Sequence, residues 1–307
     1  FHHNKYETKR NEMAPQTTVT RKFPTLQLTV LALGSLSVLF YITSSSTTTV
    51  LPNIKNGLTE TLNTNVKVSA LRNTLIRRGS GNYKLDKPTG VKPGTFSWSQ
   101  YGQDTFVDKF LDGKRSGFFL EIGGYDGELH SNTLFFEKKR GWDGLLVEAN
   151  PNTFQQMVSR DRTCGMLHAC ISKNVKSMDF KIAGGETTAI QTASESHLNR
   201  IKQDVRTYGK NKQWKGAGDV VTTTCHALGT LLDSMGVKHV DYFSLDVEGA
   251  EVHILNSIDF DRFTFGVLSI EVQENRQEIH TIMKSKGYER FHSLHIDDFY
   301  QKIVSSK

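Results

Sequence analysis

The sequence lacks several features that would assign a function directly. It contains no internal repeat, no recognisable DNA- or RNA-binding motif and no Ser-His-Asp or Cys-His arrangement. Its formal net charge of +6 at pH 7 comes from Lys and Arg residues that are scattered along the chain. Because nucleic-acid-binding proteins usually group such charges on one face, this distribution indicates a solvated basic surface and no nucleic-acid partner.

Cysteine is scarce, and so are motifs that report topology. The three cysteines are Cys164, Cys170 and Cys225. In an oxidising lumen two of them could pair, and the sequence does not assign the pair. Cys170 lies in an apolar, strand-like context, which favours a buried, inert thiol. No Asn-x-Ser/Thr acceptor occurs, so no glycosylation motif indicates which side of a membrane the chain occupies.

One segment, residues 26–43, carries no charge at all. As a helix it would reach about 27 Å, close to the ~30 Å hydrocarbon core of a bilayer. Basic residues precede this run from Lys9 to Lys22, whereas the first base after it is Lys55. The positive-inside rule therefore predicts a transmembrane signal-anchor with a cytosolic N-terminus. The alternative is a cleaved signal peptide that begins at Met13.

These features predict a single-pass type II membrane protein of the secretory pathway (endoplasmic reticulum, Golgi, endosome or plasma membrane) with a lumenal C-terminal domain. The protein would contact membrane lipid through its anchor. A stalk is expected after the anchor because those residues show no lasting hydrophobic period. The predicted segments are a cytosolic tail (1–25), the transmembrane signal-anchor (26–43), a stalk or linker (44–97) and a folded domain (98–307).

From about residue 98, strand-like and helix-like segments alternate. The runs "GFFLEIG" (117–123) and "GLLVEA" (144–149) are continuously apolar apart from one acid each, which is typical of the central strands of a parallel sheet. "VDYFSLDV" (240–247) and "FGVLSIEV" (265–272) repeat this pattern. The alternation predicts an α/β fold with a doubly wound, mostly parallel sheet, whose ligand binds at the carboxyl ends of the strands.

A glycine turn follows the first of these strands. It is not the dinucleotide fingerprint Gly-x-Gly-x-x-Gly, because Tyr125 or Asp126 stands where the second glycine is needed. The residues present are Glu121, Gly123 and Gly127. A carboxylate at that strand end suits a ligand with an amino group, and S-adenosylmethionine has both an α-amino group and a sulfonium.

The next strand ends in Glu148, whose carboxylate could accept hydrogen bonds from the two hydroxyls of a ribose. Acidic residues at two adjacent strand ends are typical of methyltransferases. The alternative is purely structural: the glycines would only shape a turn, and Glu148 would cap a helix or pair with Arg140.

The stretches "FFLEIGGYDGELHSNT", "GWDGLLVEANP", "ACIS" and "VDYFSLDVEGAE" resemble, in this order, the motifs of the FkbM-type methyltransferase domain. The resemblance covers residues 98–304 and, together with the anchor, is greatest to the membrane-anchored animal branch that includes the insect protein Star. It implies a Rossmann-like methyltransferase fold with S-adenosyl-L-methionine as cofactor. The cofactor-side residues that it implies are Glu121, Gly123, Asp126, Gly127, Asn132, Glu148 and Asp246.

The segment "LDVEGAE" supplies the catalytic candidates Asp246, Glu248 and Glu251. Methyl transfer is an in-line displacement that needs alignment, and a base helps when the acceptor is a hydroxyl, so O-methylation is expected. His253 and Glu271 are further candidates for the base. Alternatively, Glu248 and Glu251 only complement the dipole at a helix N-terminus, and the generic spacing predicts no metal site.

Two functions stay open at this stage. The first is a membrane-anchored methyltransferase; the second is a Star-like, non-catalytic factor that binds a membrane-protein cargo and aids vesicle trafficking or export of growth-factor precursors in EGF receptor signalling. The predicted topology conflicts with the enzyme hypothesis, because S-adenosylmethionine is made in the cytosol, whereas the domain is predicted to be lumenal. Residues 184–219 are expected to form a lid or recognition insert, in which Tyr208 and Trp214 would contact a substrate or partner.

Overall fold

The computed structural model describes residues 27–33, 37–43, 73–211 and 214–303. The chain divides into two compact units, residues 1–62 and 63–307. In the first unit, β1 (Gln27–Leu33) and β2 (Ser37–Thr43) pair antiparallel. The predicted cytosolic tail and residues 44–72 of the predicted stalk lie outside the described residues.

The hairpin stands where the sequence predicts a spanning helix over residues 26–43. The uncharged run is rich in β-branched and aromatic residues, and an apolar run does not by itself distinguish a helix from strands. In the part of the chain that the structure describes, no helix combines the length and apolar character needed to span a bilayer. The membrane anchor therefore stays a prediction.

The second unit alternates strands and helices, as the sequence predicts. Its strands are β3 (Arg77–Arg78), β4 (Phe118–Ile122), β5 (Asp143–Glu148), β6 (Gly165–His168), β7 (Cys170–Ile171), β8 (Ser177–Lys181), β9 (Thr188–Ala189), β10 (Val220–His226), β11 (His239–Leu245), β12 (Thr264–Glu271), β13 (Tyr288–Leu294) and β14 (Asp297–Lys302). Its α-helices are α1 (Gln103–Phe110), α2 (Pro151–Ser159), α3 (Glu195–Tyr208), α4 (Leu228–Ser234), α5 (Glu251–Ser257) and α6 (Arg276–Ser285). Phe136–Arg140 form a π-helical turn and Gly184–Glu186 a 3₁₀ turn.

The main sheet has the strand order β13-β14-β12-β11-β4-β5-β6-β3. Strands β4, β5, β6, β11 and β12 are parallel, whereas β3, β13 and β14 each run antiparallel to a neighbour. The strand order reverses between β4 and β11, which is the switch point where ligands bind in such sheets. The predicted doubly wound, mostly parallel sheet with its first long strand near Phe118 is confirmed.

Both faces of this sheet are covered, which explains the continuous apolar runs. Leu120 and Phe243 belong to one buried hydrophobic cluster, while their strand neighbours Phe119 and Tyr242 belong to a second. Because successive side chains of a strand point to opposite faces, each central strand supplies both layers of the core.

Four strands form a separate small sheet of order β7-β10-β8-β9. In β8, buried residues alternate with more exposed ones, which is the pattern of a strand with one covered face. The apolar composition of these segments did not distinguish a second sheet from the main one.

The folded unit also begins earlier than residue 98. Leu75 and Ile76 pack against the core, β3 pairs with β6, and Tyr83 packs against the second hydrophobic cluster. Residues 73–97 were expected in the stalk because they show no hydrophobic period. They dock as an irregular segment, through single apolar side chains and hydrogen bonds.

Candidate functional site

A cavity of about 880 Å³ opens at the carboxyl ends of β4, β5, β11 and β12. This is the edge of the sheet at which the strand order reverses, and its volume lies within the usual range for small-molecule sites. Five of the sequence-predicted cofactor residues line it: Glu121, Gly123, Asn132, Glu148 and Asp246.

The glycine turn after β4 requires glycine at its first position. Gly123 has φ +89°, and a Cβ atom there would lie 1.6 Å from the backbone oxygen of Asp246. The ends of β4 and β11 therefore approach each other so closely that no side chain fits between them. At Gly127, φ is +76° and a Cβ atom would lie 2.9 Å from Cγ of Met157. This second glycine packs against α2 and does not line the cavity.

Glu121 is buried, and its carboxylate is already engaged. It accepts hydrogen bonds from the Asn132 backbone N–H (2.7 Å), the Ser131 hydroxyl (3.0 Å) and the Thr133 hydroxyl (2.5 Å). Burial raises the pKa of Glu121, while nearby Arg162 and these hydrogen bonds act in the opposite direction. Its first role is therefore to hold the loop after the glycine turn. The carboxylate has little free acceptor capacity left for the predicted contact with an amino group.

Asp126 lies outside this cavity. Its Oδ1 accepts hydrogen bonds from the backbone N–H groups of Glu128 and Leu129, and its Oδ2 accepts one from Arg160 at 2.6 Å. Asp126 therefore closes the turn and pairs with α2's C-terminal arginine. The family resemblance implied a cofactor-side role for Asp126, but its side chain is directed to these neighbours and not to the cavity.

Glu148, at the end of β5, has more free acceptor capacity than Glu121. One of its oxygens accepts a hydrogen bond from the backbone N–H of Tyr125 (2.8 Å), and the other accepts one from the backbone N–H of Asn150 (2.7 Å). Burial raises its pKa to about 7. A carboxylate oxygen has two lone-pair positions, so each oxygen can accept one more donor from the cavity.

An apolar wall adjoins Glu148. It is formed by Val147 and Ala149 beside the strand end and by four residues of the small sheet, namely Ile171, Met178, Phe180 and Ala189. The small sheet thus has a clear role, because it supplies the apolar side of the cavity.

The opposite chemical character appears at the ends of β11 and β12. Asp246, Glu248 and Glu271 each place a carboxylate oxygen so that the three atoms lie within 4.8 Å of one another. Burial, together with the neighbouring carboxylates, raises the pKa of Asp246 well above its usual range and that of Glu248 to about 9. Glu248 also has φ +52°, a left-handed conformation that is uncommon for a residue with a side chain and is often found at functional sites.

Glu251 does not join these three residues. Its Oε1 accepts hydrogen bonds from the backbone N–H groups of Val247 (3.1 Å) and Gly249 (3.3 Å), so it closes the turn before α5. His253 lines the cavity, but its Nε2 lies 3.0 Å from the Ser172 hydroxyl, and burial lowers its pKa. The structural interpretation of Glu251 is therefore the better one, and Glu271, already a candidate for the base, is the third carboxylate beside Asp246 and Glu248.

The insert after β8 covers the acidic end of the cavity. The Thr188 hydroxyl donates to the backbone oxygen of Glu248 (2.6 Å), and Arg200 on α3 lies 3.4 Å from the Glu248 carboxylate. Glu186 and Trp214 also line the cavity. Sequence reasoning predicted the insert but missed Glu186 and Arg200, whose only signal was their position within it.

Tyr208 does not line this cavity and is exposed, at 47%. Its ring centroid lies 5.6 Å from that of Trp214. The two aromatic residues of the insert are therefore packed against each other, and only Trp214 reaches the site.

A disulfide joins Cys170 to Cys225, whereas Cys164 keeps a buried thiol. Strands β7 and β10 run parallel and place the two residues in direct register. The expectation of an inert thiol at Cys170 is wrong, because a sequence separation of 55 gave no indication of this pairing. Cys170 also lines the cavity.

Comparison with known proteins now identifies the class. The family model described as methyltransferase FkbM domain matches residues 121–290, more than half of the chain. The chain therefore belongs to the FkbM methyltransferase domain family and carries a methyltransferase domain of mixed α/β architecture. A search of curated proteins finds no match.

Several solved methyltransferase structures are similar at low identity. One is a Burkholderia thailandensis 1,6-didemethyltoxoflavin-N1-methyltransferase, crystallised with its substrate and S-adenosylhomocysteine, at 8% identity over 90% of this chain and 99% of that chain, with a TM-score of 0.34. A methyltransferase from Pyrococcus furiosus has 11% identity over 81% and 100%, with a TM-score of 0.33. The human methyltransferase 10 domain containing protein has 12% identity over 83% and 100%, with a TM-score of 0.34. At these values the likeness does not indicate a substrate.

Proposed function

We propose that the protein is an S-adenosylmethionine-dependent methyltransferase that transfers the methyl group to an oxygen of its acceptor. Membership of the FkbM methyltransferase family supports the reaction class. The observation that carries the proposal is the cavity itself, which is apolar beside Glu148 and acidic at Asp246, with the Gly123 turn between their strands.

The residues present fit the cofactor in three parts. The free acceptor positions of Glu148 suit the two ribose hydroxyls, and the apolar wall with Met178 and Phe180 suits an adenine ring. The amino acid end would lie at the turn of Gly123, and the sulfonium would face the acidic end of the cavity. When bound, this cofactor supplies the methyl group and a positive charge that nearby carboxylates stabilise.

An oxygen acceptor is supported by the carboxyl groups at the sulfonium end. A hydroxyl must lose its proton as it takes the methyl group, and an ionised carboxylate on the cavity wall can receive that proton. Asp246 and Glu248 both have raised pKa values, and the positive charge of a sulfonium beside them would lower these values and favour the ionised form. Their position at the end of β11 keeps them on the cavity wall.

A lumenal location in the secretory pathway is also part of the proposal. The Cys170–Cys225 disulfide supports it, because such bonds persist in oxidising compartments and are rare in the cytosol. The membrane anchor and a membrane-protein cargo have no support beyond the sequence, and they remain expectations.

Calorimetric titration of the full chain with S-adenosylhomocysteine tests the cofactor assignment. We expect binding that weakens by about 1–3 kcal/mol in Glu148→Ala, because two hydroxyl donors lose their acceptor in a buried site. Glu195→Ala, an exposed glutamate at the start of α3, is the matched control and should bind like wild type. Absence of binding to the wild type would reject the proposed function.

Asp246→Asn separates an enzyme from a cargo factor. It keeps the shape of the side chain but removes its charge, so methyl transfer should fall about 100-fold, the usual scale for a positioned base. Binding of S-adenosylhomocysteine should change less. Normal cargo export by Asp246→Asn, combined with no methyl transfer by wild type, would favour the non-catalytic function.

A further inference from the structure

We infer that the acidic end of the cavity is a divalent-cation site, formed by Asp246, Glu248 and Glu271, that holds the acceptor oxygen. The site rests on geometry alone, and only the role given to the ion rests on the proposed function. Its ligands come from the end of β11, the following turn and the end of β12.

The spacing of the three carboxylates suits one ion. Their nearest oxygens lie within 4.8 Å of one another. Six oxygens at about 2.1 Å from Mg²⁺, or at about 2.4 Å from Ca²⁺, would be separated by roughly 3–5 Å. The Glu251 carboxylate, which the sequence placed with Asp246 and Glu248, is turned to backbone N–H groups instead.

The charges at this end are not balanced by protein side chains. Arg200 lies 3.4 Å from Glu248 and is itself 42% exposed. Among the described residues, no Lys or Arg lies within 4.0 Å of a carboxylate oxygen of Asp246 or Glu271. The three carboxylates carry up to three negative charges, and Arg200 offsets one of them. About two negative charges are therefore unmatched at this end, and like charges so close together repel strongly.

Asn132 gives a second, independent indication of a ligand. It is 5% exposed, lines the same cavity, and its Oδ1 accepts no hydrogen bond from any described residue. Its Nδ2 donates to the Ser244 hydroxyl at 2.9 Å, which fixes the amide beside the strand that carries Asp246. Ser244 and Asp246 are two positions apart in β11 and its continuation, so they point to the same face of the sheet. Because Mg²⁺ keeps several waters, a metal-bound water is the donor that this buried oxygen lacks.

The ion would restrict the class of acceptor. Three carboxylates leave about three of six positions for water or substrate, and a hard cation prefers oxygen ligands. An acceptor with a hydroxyl and a second oxygen beside it, such as a vicinal diol or a hydroxy acid, would fill two of them. Coordination lowers the pKa of the hydroxyl. In the transfer, the O–CH₃ bond would form as the S–CH₃ bond breaks, and the hydroxyl proton would pass to water.

The test uses the full chain after a chelator has stripped it of metal. Mn²⁺ alone is then added, and its binding is measured by electron paramagnetic resonance. We expect about one Mn²⁺ per chain, and at least tenfold weaker binding in Glu271→Gln, because one ligand charge is lost. Glu251→Gln is the matched control, since it changes a buried glutamate in the adjoining turn that lies outside the three ligands, and it should bind Mn²⁺ like wild type. No binding at millimolar Mn²⁺, or equal binding by Glu271→Gln, would overturn the inference.

Two further measurements keep this inference distinct from the proposed function. Asn132→Ala should weaken Mn²⁺ binding about tenfold, the lower end of the scale for residues that hold metal-bound groups. If it weakens only S-adenosylhomocysteine binding, the assignment of Asn132 to the ion is wrong. Chelator-treated protein that binds S-adenosylhomocysteine but never Mn²⁺ would overturn the cation site and leave the cofactor assignment standing.

Discussion

Two groups of acidic residues in this protein differ in how their charges are matched. Behind the glycine turn, Glu137 and Arg162 form an ion pair at 2.8 Å, with side-chain exposures of 1% and 0%. At the cavity, Asp246, Glu248 and Glu271 face one another with a single arginine at 3.4 Å from one of them. Similar residue types are therefore used in two different ways.

The pair behind the turn is satisfied from every side. Arg162 also donates to the backbone oxygen of Gly127 (2.8 Å), and Glu137 accepts hydrogen bonds from the Thr163 N–H (2.6 Å) and hydroxyl (2.8 Å). Burial acts to raise the pKa of Glu137, but the charge of Arg162 and these hydrogen bonds outweigh it and lower that pKa to about 2. A fully matched buried charge supports structure, whereas an unmatched group facing a cavity is available to a ligand.

The largest effect should come from breaking the matched pair. Arg162→Met leaves Glu137 as an uncompensated buried charge, and removing one partner of such a pair costs about 3–5 kcal/mol. The free energy of unfolding, measured by urea denaturation, should fall by that amount. A loss below 1 kcal/mol would show that Glu137 reaches water or a proton more easily than its burial indicates.

The glycine turn between the two groups gives the next effect. Gly123→Ala places a Cβ against the Asp246 backbone and imposes a left-handed φ, so at least the ~1–3 kcal/mol of a strained residue should be lost, together with binding of S-adenosylhomocysteine. Gly141→Ala is the control for φ alone, because Gly141 has φ +68° and no atom within 4 Å of an added Cβ. Equal losses in the two variants would contradict the close approach of β4 to β11.

The two kinds of buried glutamate should also respond to pH in opposite directions. Glu137, whose pKa is lowered to about 2, contributes stability above its ordinary pKa of 4.5, and this stability is lost as the pH falls toward 2. Glu148, whose pKa is raised to about 7, contributes stability below 4.5 that is lost as the pH rises through 7.

Melting temperatures of the ligand-free protein measure this difference, at roughly 2–4 °C for each kcal/mol in a domain of this size. In Glu148→Gln, the melting temperature should fall less between pH 5 and 7.5 than in wild type. In Glu137→Gln, it should fall less below pH 4.5. An unchanged pH profile in Glu148→Gln would mean that this carboxyl group is ionised throughout the range.

The smallest effect is expected at an exposed pair. Arg78 makes a bidentate contact with Asp143 at 2.9 Å, but the side chains are 36% and 53% exposed. Arg78→Met should therefore change the free energy of unfolding by only about 0.2–1 kcal/mol in urea denaturation. A loss as large as that of Arg162→Met would remove the distinction between matched buried pairs and surface pairs.

The fold was predictable where each strand is buried on both faces. The runs around Leu120, Leu146, Phe243 and Leu268 are long and apolar, and all four lie in the middle of the main sheet. The small sheet and residues 73–97 could not be predicted in the same way, because half-buried strands and irregular docking leave no strong period in the sequence. The segment 26–43 shows the same limit, since an uncharged apolar run suits strands as well as a helix.

The candidate site was predictable at strand ends and not in turns. Glu148 and Asp246 follow buried strands, and the topology of a parallel sheet brings such ends together. Asp126 and Glu251 lie in tight turns, where each side chain bonds to nearby backbone N–H groups instead of the cavity. Glu271 was a candidate from its position at a strand end, and the pairing of β12 with β11 places it beside Asp246.

The Cys170–Cys225 disulfide has a consequence for how the chain tolerates change. It closes a loop with a sequence separation of 55 that contains β8, β9 and α3. In the chain-entropy model, closing a loop of this length lowers the conformational entropy of the unfolded chain and stabilises the fold by about 4 kcal/mol. The segment between the two cysteines, which forms part of the apolar wall of the cavity, is thus held at both ends by a covalent bond. Substitutions between the two cysteines can therefore alter the apolar wall without detaching it from the sheet.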